Sequence, residues 1–168
     1  GIVVYVMPGH QPEIPVSYAF VAGEFRFGPG IIVEDVPYDP ELYFYGEEVS
    51  MSARLWTHGY NIYCPNRLLL FHLYKSSGGD GDTSATHWSD HKGWFQLNRR
   101  SLVRVHKLLD SLSIAPTNLN PTPKDIESLD DYGLGTSRRL SDYERMAGIS
   151  FQSQTINQNA SAGQFPAN

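Results

Sequence analysis

The chain has 168 residues, of which 40% are hydrophobic and 18% are charged, proportions typical of one folded domain of ordinary size. No run approaches the ~20 apolar residues of a membrane span, which argues against an integral membrane protein, and the net charge of −5 argues against a general nucleic-acid binder.

The single cysteine, Cys64, excludes an internal disulfide and a cysteine-rich zinc cluster, and it favours the reducing cytoplasm. Because the sequence opens at Gly1 directly on an apolar run without signal-peptide features, we expect a piece of a larger protein.

The first forty residues combine six prolines with short β-prone runs. Phe25 and Phe27 flank Arg26, an alternation typical of a half-buried strand. We therefore predict four strands separated by turns, at Ile2–Val6, Val16–Val21, Glu24–Phe27 and Ile31–Val36.

The next segment predicts a helix over Glu47–His58. No glycine or proline interrupts it, and Val49, Ala53 and Trp56 recur at helical spacing. Its acidic first turn suits the helix dipole, and Gly59 follows where a C-terminal glycine belongs.

Two further strands are predicted at Asn61–Cys64 and Arg67–Tyr74. The second contains four consecutive apolar residues, which is typical of a strand buried on both faces. A long polar loop follows over Lys75–Lys92, of the kind that forms a mobile lid.

An amphipathic helix is predicted over Gly93–Asp110, with its aliphatic residues facing inward and its basic residues facing solvent. The inward set is Leu97, Leu102, Val105, Leu108 and Leu109, and the outward set is Arg99, Arg100, Arg104 and Lys107. Residues 111–123 have the composition of a linker, and short helices are expected near Lys124–Asp130 and Leu140–Ala147. The uncharged residues 152–168 predict a disordered tail.

The segment Tyr38–Tyr74 holds nine of the chain's 21 aromatic residues, and the adjacent Glu47 and Glu48 lie among them. Exposed aromatic rings can cover the C–H face of a sugar while carboxylates accept hydrogen bonds from its hydroxyls. The residues alone leave two interpretations open. One is a sugar site, and the other is a set of core aromatics beside glutamates that merely suit the helix dipole.

Candidate metal ligands occur in three places. His72 follows a buried strand, where a histidine is either a hydrogen-bonded core residue or a ligand, and composition alone favours the core role. Asp80-Gly81-Asp82 and His87-Trp88-Ser89-Asp90-His91 could also bind a metal. Both lie in or beside the polar loop, where a rigid shell around the ligands would be missing.

The block from Val36 to Tyr60, which includes Tyr38-Asp39-Pro40 and Gly46-Glu47-Glu48, closely resembles the signature of the glycosyltransferase (GlcNAc) family. These N-acetylglucosaminyltransferases modify hydroxyproline in protists and have many bacterial relatives. Similar segments follow in the same order at Phe71–Tyr74, Trp88–Asp90, Leu134–Glu144 and Gly148-Ile149.

This family is distantly similar to the polypeptide N-acetylgalactosaminyltransferases, whose Gly-Glu-Asn and Ser-x-Arg-x-Trp motifs lie over Gly46–Glu48 and Ser52–Trp56. The resemblance implies an α/β fold, namely the acceptor-side, C-terminal portion of a GT-A, Rossmann-like domain over residues 1–151. It implies UDP-GlcNAc as the donor, a polypeptide hydroxyl as the acceptor, retention of configuration, and a divalent cation, Mn²⁺ or Mg²⁺, as cofactor. Nothing before Tyr38 matches the Asp-x-Asp or Asp-x-His of GT-A enzymes, so we expect the nucleotide-binding half to be missing and this chain alone to be inactive.

The same resemblance assigns the site residues. It implies that Glu47 and Glu48 are catalytic and that His72 is the metal ligand. The implied substrate-binding residues are Tyr45, Gly46, Arg54, Trp56, His58 and Lys75. We expect the Glu47 carboxylate and the His72 ring to open onto one cleft, within roughly 15 Å of each other. Two alternatives remain, a non-catalytic sugar-binding remnant of such an enzyme and a nucleotide-sugar hydrolase-like relative.

Overall fold

The computed structural model of the chain describes residues 13–23, 25–67, 89 and 91–166. Its helices and strands mix along the chain, so the described part is α/β in content. In chain order the elements are β1 Val16–Tyr18, α1 Ile32–Asp35, α2 Glu47–Thr57, β2 Ile62–Cys64, α3 Trp94–Leu108, α4 Leu140–Ala147, β3 Ile149–Ser150, β4 Thr155–Ile156 and α5 Gln158–Ser161. Among these described helices, none is long and apolar enough to cross a lipid bilayer.

Helix α2 is the centre of the fold. Its last eight residues, Ser50–Thr57, are all buried, so elements pack around it on every side. The helix begins after Gly46, which has a φ of +91°, and is followed by Gly59 with a φ of +101°. The predicted helix Glu47–His58 is therefore confirmed to within one residue.

In the first half of the chain, the observed strands differ from the predicted ones. β1 pairs antiparallel with β2, with Val16 opposite Cys64 and Tyr18 opposite Ile62, which confirms the strand predicted at Asn61–Cys64 and shortens the one at Val16–Val21. The predicted strand Ile2–Val6, nearly all of Arg67–Tyr74 and most of the loop Lys75–Lys92 lie outside the described residues.

The segment predicted as a strand at Ile31–Val36 is instead helical. The Asp35 N–H donates to the carbonyl of Ile31 at 3.0 Å and the Val36 N–H to that of Ile32 at 2.9 Å. This i, i+4 spacing brings Ile32 and Val36 onto one side, where Val36 belongs to the buried cluster that contains Met51 of α2 and Ile32 packs against that cluster. The strand prediction was wrong because an apolar run this short fits either structure.

The alternation around Arg26 also does not form a strand. Residues 25–29 have no regular structure, and 94% of Phe27 is exposed. A half-buried strand at Glu24–Phe27 would have turned Phe25 and Phe27 to one buried face, so this prediction was wrong for the described residues 25–27.

Helix α3 confirms the helix predicted over Gly93–Asp110, but two of its side chains point the opposite way from the prediction. Leu97 is exposed, and Arg104 is fully buried beside Val103 and Val105. The arginine can lie inside because Asp39 provides a buried carboxylate for its guanidinium. A buried, paired arginine cannot be distinguished from a solvent-facing one by helical periodicity.

The interior forms two neighbouring clusters. The larger joins α2, α3 and α4 with residues that follow β1, and its buried members are Ala19, Phe20, Ala53, Trp56, Val105, Leu109, Tyr143 and Ala147. The smaller lies between α1, α2 and β2 and contains Val21, Val36, Met51, Leu55 and Ile62. Helix α4 has the bounds predicted from the sequence, Leu140–Ala147.

The segment between α3 and α4 consists of short 3₁₀ turns, at Leu112–Ile114, Thr117–Leu119, Pro123–Ile126 and Leu129–Tyr132. The helix expected near Lys124–Asp130 is thus divided in two, with Ser128 in a left-handed conformation between the halves at a φ of 55°.

The C-terminal residues depart from the expected disordered tail. β4 pairs with β3, and α5 is capped by the Asn157 side chain, which accepts from the Ala160 N–H at 2.8 Å. Phe165 then packs its ring edge-on against Tyr18, with the ring centres 4.9 Å apart. An aromatic anchor and a helix cap give order to this uncharged segment.

Candidate functional site

Two carboxylates lie together at the N-terminus of α2. The Gly23 N–H donates to Glu48 Oε1 at 2.7 Å. A Cβ at Gly23 would lie 2.5 Å from Glu47 Oε1 and 3.5 Å from Glu48 Oε1, so the two oxygens are within about 6 Å of each other. A side chain at position 23 would meet the flexible end of the Glu47 side chain, which would then have to move. The helix dipole favours negative charge at this end of α2.

Arg26 is close enough to this pair for its charge to interact with both carboxylates. Burial lowers the pKa of its guanidinium, and the negative charges of Glu47 and Glu48 act in the opposite direction. The guanidinium lies over the ring of Tyr38, 4.3 Å from the ring centre. At about 6 Å, the largest separation that these contacts allow, two like charges repel by on the order of 1–3 kcal/mol at effective dielectric constants of 80 to 20. A nearby cation offsets this repulsion.

A large cleft begins at Arg26 and extends to the β1–β2 pair. Its volume is about 740 Å³, which is within the range of small-molecule sites. Its lining is mainly apolar and aromatic and includes Phe25, Tyr38, Tyr60 and Tyr63, with Met51 and Leu55 of α2 as part of the wall. The helix that carries the acidic pair therefore also forms part of the cleft wall, and Arg26 belongs to the same lining.

Tyr45 and Gly46 precede the acidic pair. Tyr45 is exposed, and its ring meets that of Phe44 edge-on at 5.1 Å. Gly46 combines its positive φ with a close approach, since a Cβ there would lie 2.5 Å from Cγ2 of Val105. Nearly half of Tyr45 is therefore accessible to solvent, and Gly46 has a role in packing α2 against α3.

Arg54 and Trp56 lie in the interior, away from the acidic pair. Arg54 is 3% exposed, and its guanidinium donates to the carbonyls of Pro37 at 2.7 Å and Gly133 at 3.3 Å. Trp56 belongs to the larger core cluster and is covered by the Arg138 guanidinium at 4.8 Å. These contacts hold loops to α2, and they place neither side chain beside Glu47 or Glu48.

His58 lies at the opposite end of α2 from the glutamates. Its Nδ1 is 2.7 Å from the carbonyl oxygen of Arg54. Ten residues of helix separate it from Glu48, a distance of about 15 Å along the axis. The structure does not bring His58 and Glu48 to one small site.

The late segment that resembles the family closes this far end of α2. The Gly135 N–H donates to Thr57 Oγ1 at 2.9 Å, and the N–H groups of Ser137 and Arg138 donate to the Thr57 carbonyl at 3.0 and 3.1 Å. A Cβ at Gly135 would lie 2.4 Å from the backbone nitrogen of His58. The segment therefore caps the helix.

Most of the candidate metal and phosphate residues belong to the part of the chain that the structure does not describe. His72, Lys75 and Asp80-Gly81-Asp82 lie outside the described residues, as do His87 and Asp90. The expected proximity of Glu47 and His72 therefore stays a prediction. Within the described ranges, no three His, Cys, Asp or Glu side chains are grouped as a metal site would require.

The sequence interpretation missed Gly23, whose N–H donates to Glu48, and Arg26, whose charge interacts with both glutamates. One signal was present: Arg26 is the only lysine or arginine in residues 1–53, which contain eight acidic residues. A lone cation in such a segment has several possible carboxylate partners, and only the fold selects Glu47 and Glu48.

Comparison with known proteins gives one match. The family model described as Glycosyltransferase (GlcNAc) matches residues 5–153, which include β1 through β3 and the whole acidic site. No curated protein matches the chain, and no solved structure matches it.

Proposed function

The chain belongs to the glycosyltransferase (GlcNAc) family, and from this premise we propose that its complete protein transfers N-acetylglucosamine from UDP-GlcNAc to a polypeptide hydroxyl with retention. The observation that carries the proposal is the acidic pair at the start of α2, where the Gly23 N–H donates to Glu48, on the helix whose Met51 and Leu55 line an aromatic cleft. A nucleotide sugar needs hydroxyl acceptors, ring surfaces and room, and this region offers all three.

The two glutamates have complementary roles in the proposal. The Glu47 carboxylate accepts hydrogen bonds from hydroxyls of the donor sugar, which fixes the sugar for reaction. Glu48, already held by the Gly23 N–H, is directed to the acceptor side. The exposed Tyr45 supplies a ring surface for the C–H face of the sugar.

The remaining parts of the proposal follow from the resemblance. The chain is the acceptor-side portion of a GT-A domain over residues 1–151, His72 is a metal ligand, and Lys75 adds a positive charge for the diphosphate. A divalent cation, Mn²⁺ or Mg²⁺, would neutralise charge on the departing UDP. A cytoplasmic location is proposed from the single cysteine.

The test is release of UDP and transfer of labelled sugar by the complete natural protein with Mn²⁺ and UDP-GlcNAc. UDP-GalNAc and UDP-glucose serve as donor controls, and an acceptor-free reaction measures hydrolysis. Transfer from UDP-GlcNAc to polypeptide supports the proposal. Donor binding without turnover would favour a sugar-binding remnant, and UDP release that acceptor does not increase would favour a hydrolase-like activity.

We propose in addition that residues 1–168 alone do not turn over UDP-GlcNAc. The resemblance provides one metal ligand, and a divalent site normally needs further protein oxygens. Turnover by the isolated 168-residue chain would contradict this part of the proposal without affecting the assigned reaction.

A further inference from the structure

We infer that the interior of the protein has a binding site for one water molecule beside Arg104. The water accepts a hydrogen bond from Nη2 of the Arg104 guanidinium and donates to the carboxylate of Asp39. It thereby joins α3 to the segment that precedes α2. The inference goes beyond the proposed function, since no step of sugar transfer depends on this site.

The Arg104 guanidinium has more donors than partners. Its Nε donates to Asp39 Oδ2 at 2.8 Å, and its Nη1 donates to the carbonyls of Asp125 at 3.1 Å and Glu127 at 2.8 Å. The third nitrogen, Nη2, is buried and meets no hydrogen-bond acceptor in the described part of the chain. Because the Arg104 side chain is 0% exposed, bulk solvent cannot serve this nitrogen, and a buried donor without an acceptor is costly.

A small cavity lies beside this guanidinium. Its volume is about 10 Å³, which is about the room that one water molecule requires. Its polar lining consists of Asp39, Ser50, Arg54, Arg104 and Tyr132, and most of its lining residues are buried. Water binds in polar cavities of this kind, whereas purely apolar cavities stay empty.

Two lining residues can accept the protons of the water. The Asp39 carboxylate accepts from Arg104 Nε and, through Oδ1, from the Glu41 N–H at 3.0 Å, and an ionised carboxylate can accept about four hydrogen bonds. Ser50 Oγ donates to the Glu47 carbonyl at 3.0 Å, and a hydroxyl can also accept. A water bound to Arg104, Asp39 and Ser50 makes three hydrogen bonds, the usual number for a buried water.

A small anion is the main competitor for this cavity, because Arg54 and Arg104 carry two positive charges and Asp39 carries one negative charge. Size favours water, since chloride and phosphate ions are larger than a water molecule. The charges favour water as well. The Arg54 guanidinium already donates to the carbonyls of Pro37 and Gly133, and an anion in the cavity would be repelled by the Asp39 carboxylate at short range.

The first experiment is a crystal structure of the complete natural protein at a resolution that shows ordered waters, with a second crystal soaked in bromide. We expect a density peak at about 2.7–3.2 Å from Arg104 Nη2, within the same distance of Asp39 or Ser50. We expect no anomalous bromide signal at that position.

The variant Val105→Ile tests the same site in solution. Val105 lines the cavity, so the added methylene takes space from the water and leaves Nη2 without an acceptor. Val103→Ile is the matched control, because Val103 is a buried valine of the same helix that is not among the lining residues, and it measures the cost of one extra methylene in a packed interior. We expect Val105→Ile to lower the Tm by roughly 3–8 °C more than Val103→Ile does.

Three results would overturn the inference. A cavity without a density peak would show that Nη2 has no water partner. An anomalous bromide signal in the cavity would assign the site to an anion. A loss of Tm in Val105→Ile that is no larger than the loss in Val103→Ile would show that the methylene fills empty space.

Discussion

Arg104 and Asp39 form an ion pair in the interior of the protein. Arg104 Nε donates to Asp39 Oδ2 at 2.8 Å, and the two side chains are 0% and 3% exposed. The same guanidinium donates through Nη1 to the carbonyls of Asp125 and Glu127. One side chain of α3 thus connects the segment before α2 to the 3₁₀ turns that follow α3.

Replacement of one partner should destabilise the protein strongly. Arg104→Leu leaves the Asp39 carboxylate buried without its cation, and a broken buried pair typically costs about 3–5 kcal/mol. The free energy of unfolding in urea measures this loss. Arg139→Ala is the control, because its ion pair with Asp142 is on the surface and should contribute less than about 1 kcal/mol. Similar losses in the two variants would contradict the prediction.

Gly46 should tolerate no side chain. Alanine there would need a positive φ and would place its Cβ 2.5 Å from Val105 Cγ2, so Gly46→Ala should lower the free energy of unfolding by about 2–4 kcal/mol. Gly30 is the matched control, since a Cβ there meets nothing within 4 Å and its φ is ordinary. Thermal or urea unfolding of both variants checks the prediction, which fails if Gly46→Ala and Gly30→Ala unfold alike.

The sequence predicted α2, α3 and α4 well because each has helical periodicity and a glycine at one end or both. It did not predict which way Arg104 faces, because the partner Asp39 lies 65 residues earlier. The same limit explains the strand predicted at Ile31–Val36, because this segment packs in a cluster with Met51 and Ile62, which lie later in the chain.

Some residues of the candidate site could likewise be predicted from the sequence, and others could not. Glu47 and Glu48 could be identified from their adjacency among aromatic residues, and the structure places their carboxylates together at the start of α2. Arg54, Trp56 and His58 belong to the same sequence block, but helical geometry takes them into the core or to the far end of α2. A motif groups residues by sequence, whereas a site requires residues on one face and at one end.

The ordered C-terminal segment should contribute to stability through Phe165. Its ring packs edge-on against Tyr18 at 4.9 Å and Phe20 at 5.8 Å. Phe165→Ala should cost about 1–3 kcal/mol, less than a fully buried phenylalanine because the ring is only partly covered. Urea unfolding measures the loss, and the exposed Phe27→Ala, with 94% of Phe27 accessible, is the control. No change in Phe165→Ala would show that the segment contributes nothing to stability.

Glu47→Gln should mainly reduce turnover in the complete protein. The change keeps the shape of the side chain but removes a charge-assisted hydrogen bond to the sugar of about 1.5–3 kcal/mol, equivalent to roughly 10- to 100-fold in kcat. Steady-state kinetics with UDP-GlcNAc measure this effect. The exposed Glu127 provides Glu127→Gln as a control for loss of one negative charge. Unchanged kcat in Glu47→Gln would remove Glu47 from the reaction.

The last prediction concerns the metal. His72→Ala should weaken Mn²⁺-dependent binding of UDP by roughly tenfold or more, because loss of a ligand weakens the ion that neutralises the diphosphate. Calorimetric titration of UDP with and without Mn²⁺ separates this effect from metal-independent binding, which should be unchanged.

His91→Ala is the informative comparison, since His91 belongs to the competing histidine-rich pattern and its ring packs edge-on to Tyr43 at 5.9 Å. If His72 is the ligand, only His72→Ala loses the Mn²⁺ dependence, and added Mn²⁺ should partly restore UDP binding because the remaining ligands still bind the ion weakly. Loss in His91→Ala alone would move the metal site to the polar loop. If both variants keep the full Mn²⁺ dependence, His72 has the hydrogen-bonded core role that composition alone favours.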